Sequence, residues 1–218
     1  MKTKSKVLLL SLCAVLLVAA TVMGTVAYLT SQAEVTNTFT VGDVQIKLDE
    51  AVVDKNGNPA GGRTDQGNDY HLIPGQTYTK DPTVTVLANS ENSYVRMLVT
   101  LNNYADLKTV FGDNFLPQNY VSDWDKETWV PVLTPVIDTA KDTITYEFRY
   151  NGIVPMADKD TELEPLFETF TLPGTVDNAD LKLLNDPAFE IKVVGHAIQS
   201  ATFKDADEAW AAFDEQMK

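Results

Sequence analysis

The residues able to do chemistry in this chain are few and poorly grouped. Its only imidazoles are His71 and His196. A hydrolytic zinc site usually takes paired histidines on one helical face with an acid nearby, and neither histidine has a second one four residues on. His71 follows Tyr70 in a loop or strand start. His196 follows Gly195 on a strand face shared with Glu190 and Lys192, so both are expected to face solvent or to be hydrogen-bonded. No Gly-x-Ser-x-Gly elbow is present for a serine nucleophile, and no glycine loop with a lysine cradles phosphate. Asp158/Asp160 and Glu162/Glu164 could imitate glycosidase carboxylates, but an acidic run between Pro155 and Pro165 reads as a solvated loop. Asp54, Asn56 and Asn58 alternate as in a calcium loop, yet Pro59 stands where that loop needs glycine, so a turn is expected. Trp124, Trp129 and Trp210 could form a sugar platform; core or edge packing is the expected use. No catalytic, cofactor-binding or metal-ligating residue is assigned, and the chain is expected not to be an enzyme.

The N-terminus points to export. Lys2, Lys4 and Lys6 precede an apolar run from Val7 to about Met23, and small residues follow. That order is a charged region, a hydrophobic region and a cleavage site. Thr25 and Ala27 offer the two small side chains a signal peptidase reads, which places the cut between Ala27 and Tyr28. An uncleaved anchor is the competing reading, since the run is long enough to span a bilayer. Cys13, the single cysteine, lies within this run behind Leu12, where a lipoprotein would carry a small residue. After cleavage no thiol or disulfide remains, and the fold must rest on its core alone. Removing residues 1–27 takes away three lysines and no acid, so the formal charge falls from −14 to −17. Such a surface repels nucleic acid and anionic lipid, and contact with the membrane is expected only before cleavage.

The elements that must carry any function are mostly strands. Ile144, Tyr146, Phe148 and Tyr150 alternate with polar residues, as do Val95, Met97, Val99 and Leu101, and later Phe189, Ile191 and Val193. Asp81-Pro82 introduces a strand at 83–87, and residues 83–101 read as a hairpin turning at 89–92. Residues 54–69 read as loop throughout. The apolar phase is odd at Phe39 and Val41 and even at Val44, Ile46 and Leu48, which predicts a bulge or break at Gly42. Short helices are expected at 104–111 and between Asp177 and Asn185. A C-terminal helix capped by Asp205 should present Ala206, Trp210, Phe213 and Met217 on one face and cover an end of the sandwich, with Asp214 and Glu215 pointing away. The expected organisation is a signal peptide at 1–27, an N-terminal segment at 28–43 and one β-sandwich domain at 44–218.

Four stretches in order carry a family likeness: Gly24-Thr-Val-Ala-Tyr-Leu-Thr-Ser31, Asn37-Thr-Phe-Thr-Val-Gly-Asp-Val-Gln-Ile-Lys-Leu48, Leu72-Ile-Pro-Gly-Gln-Thr-Tyr-Thr-Lys-Asp-Pro82, and His196-Ala-Ile-Gln199 with Asp205-Ala-Asp-Glu-Ala-Trp210. Together they resemble the exported proteins processed by SipW-type signal peptidases, the family containing TasA and camelysin; residues 103–165 carry no such motif. The resemblance implies a jelly-roll-like antiparallel sandwich with a few peripheral helices, secreted by Gram-positive bacteria to the cell surface or extracellular matrix. It implies biofilm-matrix fibres in which an N-terminal strand freed by signal cleavage completes the sheet of the next copy. Val35, Phe39 and Val41, ahead of Gly42, match that strand by position. The implied partners are other copies of the chain, a SipW-type signal peptidase and an accessory anchoring protein. The same resemblance supplies two alternatives: a camelysin-like surface metalloprotease, and an accessory or adhesin subunit of a fibre.

Overall fold

The computed structural model describes residues 43–112, 121, 123–185 and 187–217. The cleavage residues Thr25, Ala27 and Tyr28, the strand residues Val35, Phe39 and Val41, and the break at Gly42 all lie outside them. The described chain is mainly β, with three short helices among the described residues. One antiparallel sheet holds β1 (Ile46–Val53), β2 (Pro59–Thr64), β4 (Thr83–Val86) and β9 (Thr161–Glu162) in the order β2-β1-β4-β9. A second holds β5 (Ser93–Leu101), β6 (Trp129–Pro131), β8 (Thr143–Tyr150) and β11 (Ile191–Gln199) in the order β11-β5-β8-β6, with β7 (Val136–Asp138) also on β8. The short pair β3 (Thr77–Thr79) and β10 (Thr169–Thr171) stands apart.

The period-two pattern explains the core. Val95, Met97, Val99 and Leu101 of β5 and Ile144, Tyr146 and Phe148 of β8 are all buried, and they stand opposite one another in register. A pleated strand sends alternate side chains to one face, so both runs deliver their apolar set to the space between the sheets. Val84 and Val86 of β4 close that space from the other sheet. The two sheets meet tightly at Gly195 of β11, where an added Cβ would lie 3.1 Å from Val84 Cγ2. Trp129 is fully buried and donates its indole N–H to the Glu164 carbonyl, while half-buried Trp124 meets Phe148 edge-on. Packing, not a sugar platform, is their use.

Several expectations change. β4 and β5 do not form a hairpin. β4 pairs with β1 and β9, and β5 pairs with β11 and β8, so residues 87–92 carry the chain from one sheet to the other. Residues 54–69 are not all loop, because Pro59–Thr64 pairs with β1 despite a composition that buries little. Proline and glycine are tolerated there because β2 is an edge strand. The turn before it is as expected: Asp54 accepts hydrogen bonds from the Asn56 and Asn58 amides, which occupies the carboxylate internally. At Gly57, φ is +78° and a Cβ would lie 2.9 Å from the Tyr78 Cα, so only glycine fits.

The helices fall where spacing placed them: α1 (Tyr104–Phe111), α2 (Asn178–Leu183) and α3 (Ala206–Gln216). Asp177 caps α2 with a reciprocal capping box. Asp205 caps α3 by accepting from the Glu208 amide, while the Glu208 carboxylate reaches back to the Lys204 amide. Two details of α3 differ from expectation. It lies on the outer face of the second sheet rather than over an end, and Met217 is exposed. Asp214, expected to point away, is drawn in by Arg96.

The closeness at Gly195 gives a stability test. Gly195→Leu should overpack the sheet interface and lower unfolding stability by about 1–3 kcal/mol. A urea melt should show a lower midpoint with the same slope; an unchanged midpoint would mean the sheets part without cost.

Candidate functional site

The most developed concave feature is a groove of about 760 Å³ on one side of the sandwich. Its wall on the first sheet is Leu48, Asp49 and Glu50 of β1, and its wall on the second is the chain from Ala188 to Val193 entering β11. Consecutive residues point to opposite faces of a strand. Because residues of both phases line the groove on each side, it follows strand edges rather than lying beneath one face. Tyr70, Leu72 and Phe170 give it an apolar floor.

β11 dominates this side. It pairs with β5 along all nine residues, from Ile191↔Leu101 to Gln199↔Ser93. Among the described residues it has no strand on its other side. It contains no proline, and each of its residues except Lys192 is half-buried. The opposite edge of the same sheet is built differently. There β6 and β7 run along β8 as two three-residue pieces interrupted at 132–135, with Pro131 and Pro135 in the run. Proline and irregularity are the usual means by which an edge is made unable to accept another strand. One edge of the sheet is therefore blunted and the other is regular.

The outer face of β11 is closed by α3. Arg96, buried on β5, lies over the Trp210 ring at 4.4 Å and the Phe213 ring at 5.1 Å, and its guanidinium is gripped by Asp214. His196, opposite Arg96 in the β11–β5 register, packs on Phe213 at 4.7 Å and accepts a 3.3 Å hydrogen bond from Arg96 Nε. Around them Glu147 and Arg149 of β8 pair with each other, and Arg149 reaches Asp207 at 2.5 Å. Burial lowers the His196 pKa, and the Arg96 charge lowers it further. The Arg96 hydrogen bond holds the Asp214 carboxyl below the usual range.

A second ionic cluster lies in the groove wall. Lys80 and Glu50 are both buried and meet at 2.5 Å. Asp49, Arg63, Asp81 and Thr83 form a neighbouring network, with Arg63 Nε 2.5 Å from Asp49 and Nη1 2.7 Å from Asp81. Burial pushes the Asp49 carboxyl up, but hydrogen bonds from Lys47 and Arg63 more than reverse this. Burial, followed by the Glu50 charge, pushes the Tyr70 phenol well up.

The residues with chemical potential do not converge. His71 is exposed, and His196 is held among Arg96 and Phe213. Asp158, Asp160, Glu162 and Glu164 are exposed, Glu162 standing on β9. Among the described residues no three His, Cys, Asp or Glu side chains are placed to hold a metal ion. Sequence reasoning missed the Glu50–Lys80 pair, although a signal existed. Glu50 continues the phase of Ile46 and Leu48, and Lys80 that of Tyr78, so each places a charge on a buried phase. Comparison with protein-family models, curated sequences and solved structures returns no match.

The His196 environment fixes a pH dependence. Folding holds its pKa below the ordinary value of 6.5, so the unfolded chain takes up the proton first as pH falls. The stabilisation is present above pH 6.5 and is lost on descent from there toward the folded-state value. Denaturant melts at pH 7 and pH 5 should show the wild type losing stability and His196→Gln losing less. Equal losses would remove His196 from the account.

Proposed function

We propose that this chain is an exported structural protein that polymerises into surface or matrix fibres, each copy accepting a neighbour's N-terminal strand at the groove beside β11. The observation that carries the reading is the contrast between the two edges of the five-stranded sheet: β6 and β7 are short and proline-marked, whereas β11 offers nine regular residues, the first three of which, Ile191–Val193, line the groove. An open edge gains main-chain hydrogen bonds from an added strand, and alternate side chains of that strand fill the groove.

The proposed occupant is residues 28–41 of a second copy. Val35, Phe39 and Val41 share one strand phase, with Glu34, Thr38 and Thr40 on the other. One phase suits an apolar floor and the other a polar rim. Fourteen residues in strand conformation would extend about 46 Å, enough to run the length of β11 and leave a connection. Glu34 is the segment's one charged side chain, and the new α-amino group sits at its end on Tyr28, so residues 35–41 enter the groove with no side-chain charge to desolvate. Signal cleavage after Ala27 would release the donor, which makes the SipW-type peptidase the switch for assembly. The role is structural and non-catalytic on this reading, and an accessory protein would serve to anchor the fibre.

Electron microscopy of residues 28–218 beside a chain starting at Val44 tests the proposal. The longer chain should form filaments and the shorter should not. A synthetic 28–41 peptide in excess should cap growth and shorten the filaments. Equal assembly of the two chains, or monomers in both, would defeat strand donation. Chelator-sensitive cleavage of casein by the pure chain would defeat the non-catalytic role.

A further inference from the structure

The buried Glu50 carboxylate holds two reactive partners at once. Its Oε2 accepts from the Lys80 ammonium at 2.5 Å, and its Oε1 accepts from the Asn68 side-chain amide at 2.8 Å. Among the described residues Glu50 is the only hydrogen-bond partner of Lys80 Nζ, although an ammonium carries three donors. The Asn68 amide is fixed more fully. Its Nδ2 also donates to the Ala51 carbonyl at 2.9 Å, and its Oδ1 accepts from the Val53 amide at 3.0 Å, at the irregularity where β1 and β2 slip register.

We propose that Lys80 and Asn68 join through an intramolecular isopeptide bond, with Glu50 as the proton-transfer residue. In the first step Glu50 takes a proton from the Lys80 ammonium, leaving a neutral amine beside a neutral acid. The amine lone pair then attacks Asn68 Cγ, forming the Nζ–Cγ bond while negative charge develops on Oδ1. The Val53 N–H already points at that oxygen, as an oxyanion donor must. Glu50 next gives that proton to Nδ2, and the Cγ–Nδ2 bond breaks as the Cγ–Oδ1 double bond reforms. Glu50 takes the second proton from Nζ, so the secondary amide and Glu50 are left neutral while ammonia leaves through the groove, which both Asn68 and Lys80 line. Atoms balance as one amine plus one primary amide giving one secondary amide plus ammonia, and no oxidant or co-reactant is needed.

Three features favour the step. The groups are held together by the fold, which turns a slow encounter into a unimolecular one. The Lys80 ammonium and the Glu50 carboxylate are both buried and in direct contact, so the proton has a single short path between them. The Lys80 side chain is a flexible four-carbon stem, able to swing from the carboxylate to the neighbouring amide carbon while Asn68 stays fixed. The product would tie the 64–69 segment to the chain leaving β3, fixing the Tyr70 and Leu72 wall of the groove. It would give a chain without disulfides a covalent staple.

Mass spectrometry of the purified full chain tests this directly. The expected result is a mass below the sequence value by one ammonia, about 17 Da, and, after digestion by a protease cutting before aspartate, residues 65–68 still joined to residues 69–80 through Asn68 and Lys80. The joined peptide is decisive, because cyclisation at Asn56-Gly57 or Asn151-Gly152 would change the mass equally without linking anything. Glu50→Gln should retain the fold by circular dichroism and lose the link. Recovery of only unlinked Lys80 and Asn68 peptides from the folded wild type overturns the proposal. A link formed undiminished in Glu50→Gln overturns the role of Glu50.

Discussion

The nine-residue ladder between β11 and β5 is the interaction on which the rest of the molecule depends. β5 is the central strand, and its inward residues form the core with β8 and β4, while its outward Arg96 is the anchor for α3. β11 takes its position from β5 alone among the described residues. Every buried backbone donor and acceptor needs a partner, and β5 satisfies that need on both sides. β11 satisfies it on one. This half-paired strand, half-buried along nearly its whole length, borders both the groove and the clamp above it.

That clamp shows how a charge can be buried without being wasted. Arg96 sits on the polar phase of β5, yet it is covered by the Trp210 and Phe213 rings and held by Asp214. Guanidinium is weakly hydrated and stacks on aromatic faces, so it is the one cation able to serve as the floor for an aromatic helix face. A lysine there would keep the charge and lose the stack. His196 completes the contact by accepting from Arg96, and burial followed by the Arg96 charge disfavours its charged form there. The result is a helix docked by a mixture of packing and electrostatics, on a sheet face that alternation alone would have left in water.

How far this was legible in sequence depends on which physical rule governed each piece. Alternation located β5, β8 and β11; in β5 and β8 it delivers the inward residues to the core, whereas in β11 both phases end up half-buried. The spacing of Leu181 and Leu184 located α2, and the Asp205 cap with its apolar face located α3. Pairing was harder: adjacency of β4 and β5 suggested a hairpin, whereas the sandwich needs them in different sheets, and no local residue reports that choice. β2 was missed because an edge strand needs no apolar phase; its Gly61 and Gly62 are exposed, at the irregularity where its register on β1 shifts. The groove was invisible because it is made of strand edges, and edges are set by what fails to pair. Asp214 was misplaced because its partner Arg96 is 118 residues away.

The two edges of the second sheet explain how a strand-accepting protein could grow as a thread and not as a clump. A sheet with two regular edges adds neighbours on both sides and stacks laterally. Here Pro131 and Pro135 break one edge, so under the proposed strand donation this sheet would offer a single acceptor edge. A single donor segment matched to a single acceptor is a heterologous contact, and such contacts continue as open filaments unless the rotation happens to close them into a ring. The strongly acidic surface acts in the same direction. Like-charged copies repel, and the proposed donor would enter its contact with Glu34 as its one charged side chain. Exposed Leu133 and Val136 are the exception on the blunted edge. Their apolar surface stands where the backbone is least able to zip, so association there would have to proceed by side chains alone.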